Sequence, residues 1–136
     1  MIPAMSVEKN KEVVLRTLKA LQEGDYTTML AQLTDDVKFY VIGSTRYSGL
    51  FEGKDRILNE ILIPMGEQRD ENGYSEKILT LMGEGVLVLT ESVGQKRTRS
   101  GQQYNNEYAF IYRLVAGKIT EWRCYLDTEL LATTHK

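Results

Sequence analysis

The side chains able to do chemistry in this chain are few, and their types narrow the reactions at once. Cys124 is the only cysteine and His135 the only histidine, the latter one residue from the last position. A thiolate nucleophile needs a histidine or cationic neighbour, and chain ends usually fray. A Cys–His pair is therefore not expected, and Cys124 reads as a small buried hydrophobe. The same scarcity argues against zinc or haem, so neither metal nor cofactor is expected. Tyrosine is more abundant, with eight copies. A phenol near its ordinary pKa donates a hydrogen bond readily and is a poor base at neutral pH. Tyr40 and Tyr108 thus suit polarising a ligand carbonyl or weak general-acid work, with core packing as their plainer use. Asp127 is the fallback acid/base because it closes the last strand-like run. Asp127-Thr128-Glu129-Leu130 also reads as a helix start, however, which favours an N-cap. Lys96-Arg97-Thr98-Arg99, the one basic cluster, reads as a solvated hairpin turn, with an anionic partner as its other use.

The elements that must position these groups follow from periodicity and punctuation. Ser6 reads as an N-cap with Glu8 in the first turn, and Val14, Leu18 and Leu21 fall on one helical face. Gly24 ends that helix and Asp25 caps a second carrying Met29, Leu30 and Leu33, closed by Thr34-Asp35-Asp36. Val37–Ile42 is a short β-rich run, followed by a Gly/Ser loop through Gly53. A third helix from Lys54 places Ile57, Leu58, Ile61 and Leu62 inward and should end at Pro64, which lacks an amide donor. Gly66–Gly73 reads as a mobile loop. Strand-like runs then cover Tyr74–Met82, Val86–Arg99, Tyr104–Val115 and Lys118–Leu126, the last two joined at Ala116-Gly117, before a short helix with Leu130 and Leu131.

At 136 residues, 42% apolar and 26% charged, the chain reads as one globular domain over 1–136 with its core at about 7–132. A formal charge of −2 offers no bulk attraction to nucleic acid or anionic membrane. Met1–Asn10 lacks an apolar signal region and no stretch approaches a membrane span, so a cytoplasmic protein is expected. Helices followed by a long meander predict an α+β fold, a cone-shaped, strongly curved antiparallel sheet with three N-terminal helices covering a pocket.

This order, with the Glu23-Gly24-Asp25 link, the Gly49-to-Gly53 approach to the third helix and the phrase Gly117-Lys118-Ile119-Thr120-Glu121-Trp122-Arg123-Cys124-Tyr125-Leu126-Asp127, resembles the SnoaL-like group of the nuclear-transport-factor-2-like superfamily. Ketosteroid isomerase and limonene epoxide hydrolase are relatives. The resemblance places the epoxide hydrolase's arginine on Ser92 and its two aspartates on Gly94 and Cys124, with the supporting tyrosine and asparagine near Lys38 and Tyr40. Hydrolysis by that Asp-Arg-Asp mechanism has no residues to run it. The isomerase's base falls on Tyr40, its oxyanion tyrosine on Thr17 and its protonated aspartic acid around Ala109, so that chemistry also lacks its carboxylate base. The container persists without the known chemistry. With strand alternation, the resemblance implies a lining of Tyr40, Ser92, Asn106, Tyr108, Phe110, Trp122, Cys124 and Leu126.

Such a lining suits a small, mostly apolar, oxygenated ligand, bound with or without catalysis. The alternatives are an isomerase, cyclase or hydrolase on a polyketide- or terpenoid-like substrate, and a structural homodimer module with a filled pocket. The resemblance implies a homodimer through the open face of the sheet, and an exposed aromatic meander is otherwise an aggregation liability. Tyr112, Tyr125 and Trp122 are candidates for interface or pocket wall.

Overall fold

The computed structural model describes residues 6–136. Part of the N-terminal segment read for a signal, Met1–Asn10, lies outside them. Helix α1 (Val7–Glu23) begins as expected, with the Ser6 hydroxyl accepting the Lys9 amide at 3.1 Å, and ends at Gly24 in the left-handed region (φ 71°). Asp25 caps α2 (Tyr26–Ala31) by accepting the Thr28 amide. This helix is shorter than its apolar pattern suggests. Strand β1 (Leu33–Val41) already starts at Leu33, so Thr34-Asp35-Asp36 lies in a strand and does not close a helix. Leu33 is fully buried there, because the Ile119 amide bonds to Gln32 and draws the chain onto the last strand.

Strand β2 (Gly49–Glu52) folds back on β1. The third helical segment runs through Pro64 instead of stopping there: α3 (Lys54–Ile57), a π-helical turn at Leu58–Leu62, and α4 (Ile63–Glu67). In the π turn the Ile63 amide reaches back five residues to the Leu58 carbonyl, and Pro64 then sits in the first turn of α4, where its missing donor costs little. The Tyr26 hydroxyl donates to the Leu62 carbonyl at 3.0 Å, occupying an acceptor that the interrupted helix leaves. Residues 69–73, expected in a loop, begin the sixteen-residue strand β3 (Arg69–Glu84).

Strands β4 (Leu87–Thr98), β5 (Glu107–Val115) and β6 (Lys118–Leu126) complete the antiparallel meander. Helix α5 (Thr128–Thr134) follows, capped by Asp127. The sheet order is β2-β1-β6-β5-β4-β3, and the β1–β6 contact is parallel, the exception to the expected antiparallel pairing. Register shifts at 69–74 and 78–80 in β3 and at 113–114 in β5 bend the sheet, since an extra residue on one strand increases its local twist. The result is a curved, unclosed six-stranded sheet with α1 packed on its concave side, an α+β cone. Val14 and Leu18 of α1 meet Leu33, Tyr112, Leu114 and Ile119 in the core. Burying an aliphatic side chain of this size contributes about 1.5–3 kcal/mol. Among the described residues no helix is long and apolar enough to cross a membrane.

Candidate functional site

Strand parity decides what faces the hollow of the cone. On β6, Trp122 and Cys124 point inward, and β1 pairs with them as Phe39↔Trp122 and Val41↔Cys124. Phe39 and Val41 therefore line the cavity, and Tyr40, paired with Arg123, is turned to the outer face. There its ring lies under the Arg123 guanidinium at 4.5 Å and meets Tyr125 edge-on. The expectation that Tyr40 joins the pocket is corrected by that register. The positions that the resemblance assigned to isomerase chemistry fare alike. The Thr17 hydroxyl donates to the Val13 carbonyl within α1, and Ala109 shares the outer parity of β5.

Tyr108, Phe110, Trp122, Cys124 and Leu126 do line one cavity of about 120 Å³. Phe39 and Phe110 each meet Trp122 edge-on, at 5.2 and 5.6 Å between ring centroids, and Tyr108 stacks on Phe110 at 5.1 Å. Interlocked rings of this kind form a rigid apolar wall. Met29, Ile57, Ile61, Leu62 and Leu131 close the cavity from the helices. Ser92 and Asn106 are buried beside it without lining it. Asn106 is a clamp: its Nδ2 donates to the Tyr104 hydroxyl and the Asp127 carbonyl, and its Oδ1 accepts the Glu107 and Asp127 amides. Asp127 accepts the Leu130 amide as the N-cap of α5, so its carboxylate is engaged in folding. Burial pushes the Cys124 thiol up, which keeps it protonated and unreactive.

The polar part of the wall comes from residues that sequence reading placed elsewhere. Lys96, read as part of a solvated turn, is only 6% exposed and sits in the cavity wall. Its Nζ donates to the Met65 carbonyl at 3.0 Å and lies 2.8 Å from His135 Nε2. Burial, with Arg69 nearby, lowers the Lys96 pKa to about 7. His135, expected in a frayed end, is 3% exposed and stacks edge-on against Tyr104 at 4.5 Å. Burial and the Lys96 charge lower its pKa to about 4, so the ring is neutral at physiological pH. Arg69 and Tyr74, which fall on β3 or its first residues, also line the cavity, the guanidinium 5.2 Å above the Tyr74 ring.

The Tyr74 hydroxyl donates to Glu76 Oε1 at 2.5 Å, and burial raises the pKa of that carboxyl. Desolvation likewise raises Tyr104 to about 12 and holds Tyr108 well above the ordinary phenol value. Both phenols are protonated donors at neutral pH. A Cβ on Gly94 would meet the Tyr74 and Tyr108 rings at 2.9 and 3.1 Å, so the bare backbone is what lets both rings into the wall. Alternation offered one signal for the missed lysine. Ser92, Gly94 and Lys96 share parity on β4, and the inward assignment of the first two extends to the third.

The model of the SnoaL-like domain matches residues 14–122. No curated protein matches the chain. Among solved structures, an NTF2-like protein from Burkholderia thailandensis E264 superposes with a TM-score of 0.82 at 22% identity, covering 97% of this chain and 99% of its own. An LEH-like epoxide hydrolase from M. tuberculosis has a TM-score of 0.76 at 24% identity, covering 95% and 90%. A protein described as a SnoaL-like polyketide cyclase, from Jannaschia sp. CCS1, has a TM-score of 0.81 at 16% identity, covering 99% and 96%. At these identities the likeness shows the fold alone.

Proposed function

The chain belongs to the SnoaL-like domain family, and on that premise we propose that its cavity binds a small, mostly apolar, oxygenated molecule. The observation that carries this reading is the combination within one cavity of a rigid aromatic wall with Tyr104 and Tyr108, two phenols held protonated by burial. An apolar hollow with a few fixed donors is the usual build of a small-molecule site. The cavity also weighs against a module whose pocket is filled by its own side chains.

Catalysis is the second reading, favoured by the Tyr74–Glu76 hydrogen bond at the edge of the wall. A carboxyl with a raised pKa behind a phenol suits proton transfer, of use to an isomerase, cyclase or hydrolase acting on a polyketide- or terpenoid-like substrate. The epoxide hydrolase and polyketide cyclase among the structural neighbours set the range of chemistry for this reading.

Native mass spectrometry of freshly purified protein, followed by denaturing extraction, tests the proposal. A co-purified apolar compound, or thermal stabilisation by members of an oxygenated aromatic library, is the expected result. Tyr40→Phe should leave that stabilisation unchanged and Phe110→Ala should remove it. No stabilisation across the library would sink the binding reading.

A further inference from the structure

We infer that the molecule taken by this cavity is an organic anion, a carboxylate or enolate on an apolar body, whose charged end is received by Lys96 and Arg69. The inference rests on the cavity being a ligand site and specifies what that ligand carries.

The cavity wall carries a charge that the protein does not balance. Lys96 and Arg69 belong to adjacent strands and line the same cavity, yet the ion pairs among the described residues all lie elsewhere. The half-buried Arg69 opposes the charge on buried Lys96, and a buried charge without a counter-ion costs several kcal/mol by general estimates. Glu76, behind the wall, accepts the Tyr74 hydroxyl, and burial there disfavours its ionised form.

Hydrogen-bond inventory points the same way. A lysine ammonium has three donors and an arginine five. The Lys96 amine meets Met65 O and His135 Nε2, and Arg69 gives one bond, from Nη2 to the Leu21 carbonyl at 3.2 Å. Trp122, 3% exposed and part of the wall, keeps its indole N–H buried without an acceptor. Tyr104 and Tyr108 add phenol donors. The wall is therefore rich in donors and poor in acceptors, and a carboxylate supplies two acceptor oxygens and the missing negative charge together. An apolar cavity of about 150 Å³ holds benzene, so the space here suits a body of one small ring or a short chain.

Proton linkage supplies a signature. The groups facing Lys96 are Arg69 and Tyr74 on β3, with Glu76 behind; Tyr104 before β5 and Tyr108 on it; Cys124 on β6; and His135 after α5. His135 is neutral above about pH 4, and burial keeps Cys124 and the phenols protonated. As pH rises through about 7 Lys96 loses its positive charge, and ionisation of Glu76, which burial disfavours, acts in the same direction. Anion affinity should fall as pH rises through that value, and affinity for a neutral isostere should not.

The experiment is calorimetric titration of the full chain with benzoate and with benzyl alcohol at about pH 6 and about pH 9, on wild type, Lys96→Met and Arg69→Gln. In wild type benzoate should bind at least about tenfold tighter than benzyl alcohol at the lower pH, a difference of about 1.4 kcal/mol, and lose most of that advantage at the higher. Each variant should lose the preference for benzoate over benzyl alcohol. The wild-type comparison stands even if a variant fails to fold. Benzyl alcohol binding as well as benzoate at the lower pH would overturn the anion and leave the pocket, and a benzoate preference that survives the rise in pH would overturn Lys96 as its receiver. Binding of neither probe would overturn both readings.

Discussion

At the scale of single residues, the pair Lys96 and His135 shows how far burial can redirect ordinary side chains. Each sits in a segment that local sequence marks as solvated, a run of basic residues and a chain end. Tertiary packing encloses both, and desolvation brings the lysine's titration down to about pH 7 and keeps the histidine neutral there. His135 has a folded pKa of about 4 against about 6.5 when unfolded, so between those values the unfolded chain binds more protons. Its contribution to stability is fully present above about pH 6.5 and is lost as pH falls towards 4. Thermal denaturation across that range should show the slope, and His135→Gln should flatten it; an unchanged slope would mean that other groups dominate acid sensitivity. Lys96 adds the same sign of effect at higher pH, because the unfolded lysine holds its proton between about 7 and 10.5 and the folded one does not.

At the scale of elements, two glycine-linked details of backbone geometry determine how the cavity is closed. Gly66, in α4, has the Tyr26 hydroxyl lying where a Cβ would stand, and that same hydroxyl holds the Leu62 carbonyl. Gly66→Ala should force the two elements apart and cost about 1–3 kcal/mol, read as a lower urea midpoint with an unchanged slope. The β5–β6 turn places Ala116 at φ 50° and Gly117 at φ 79°, both in the left-handed region that a two-residue hairpin of this hand requires. Alanine is the poorer choice at the first of these positions. Ala116→Asn should therefore stabilise the hairpin by roughly 0.5 kcal/mol, and a lower melting temperature for that variant would contradict the strain assigned to the turn.

At the scale of the whole molecule, the outer face of the sheet carries Tyr40, Tyr125 and Arg123 in mutual contact, with Glu121 bonded to that arginine. We propose that two copies pair across this face. Native mass spectrometry at low micromolar concentration should give twice the 15.6 kDa chain mass, and Arg123→Glu should shift the population to monomer. A monomer in the wild type would remove the proposal without touching the cavity.

Much of the molecule was legible from order and spacing. The Ser6 and Asp25 caps, the Gly24 stop, the Ala116-Gly117 hairpin and the alternation that puts Tyr108 and Phe110 on one face follow from side-chain and backbone rules that act over a few residues. So does the α+β plan, because helices that must bury one stripe and strands that must bury one face have few ways to meet. Tertiary structure decided the rest. Whether Tyr40 or Phe39 faces inward depends on the register of β1 against β6, strands separated by most of the chain. Whether Lys96 is solvated depends on α4 and the residues after α5 closing over it. Pro64 ends a helix only if no other segment compensates, and the π turn with Tyr26 does so. Local chemistry therefore specified the elements, and contacts between residues distant in sequence specified the chemistry of the cavity, because burial and neighbouring charge, not residue type, set what a lysine or a histidine can do.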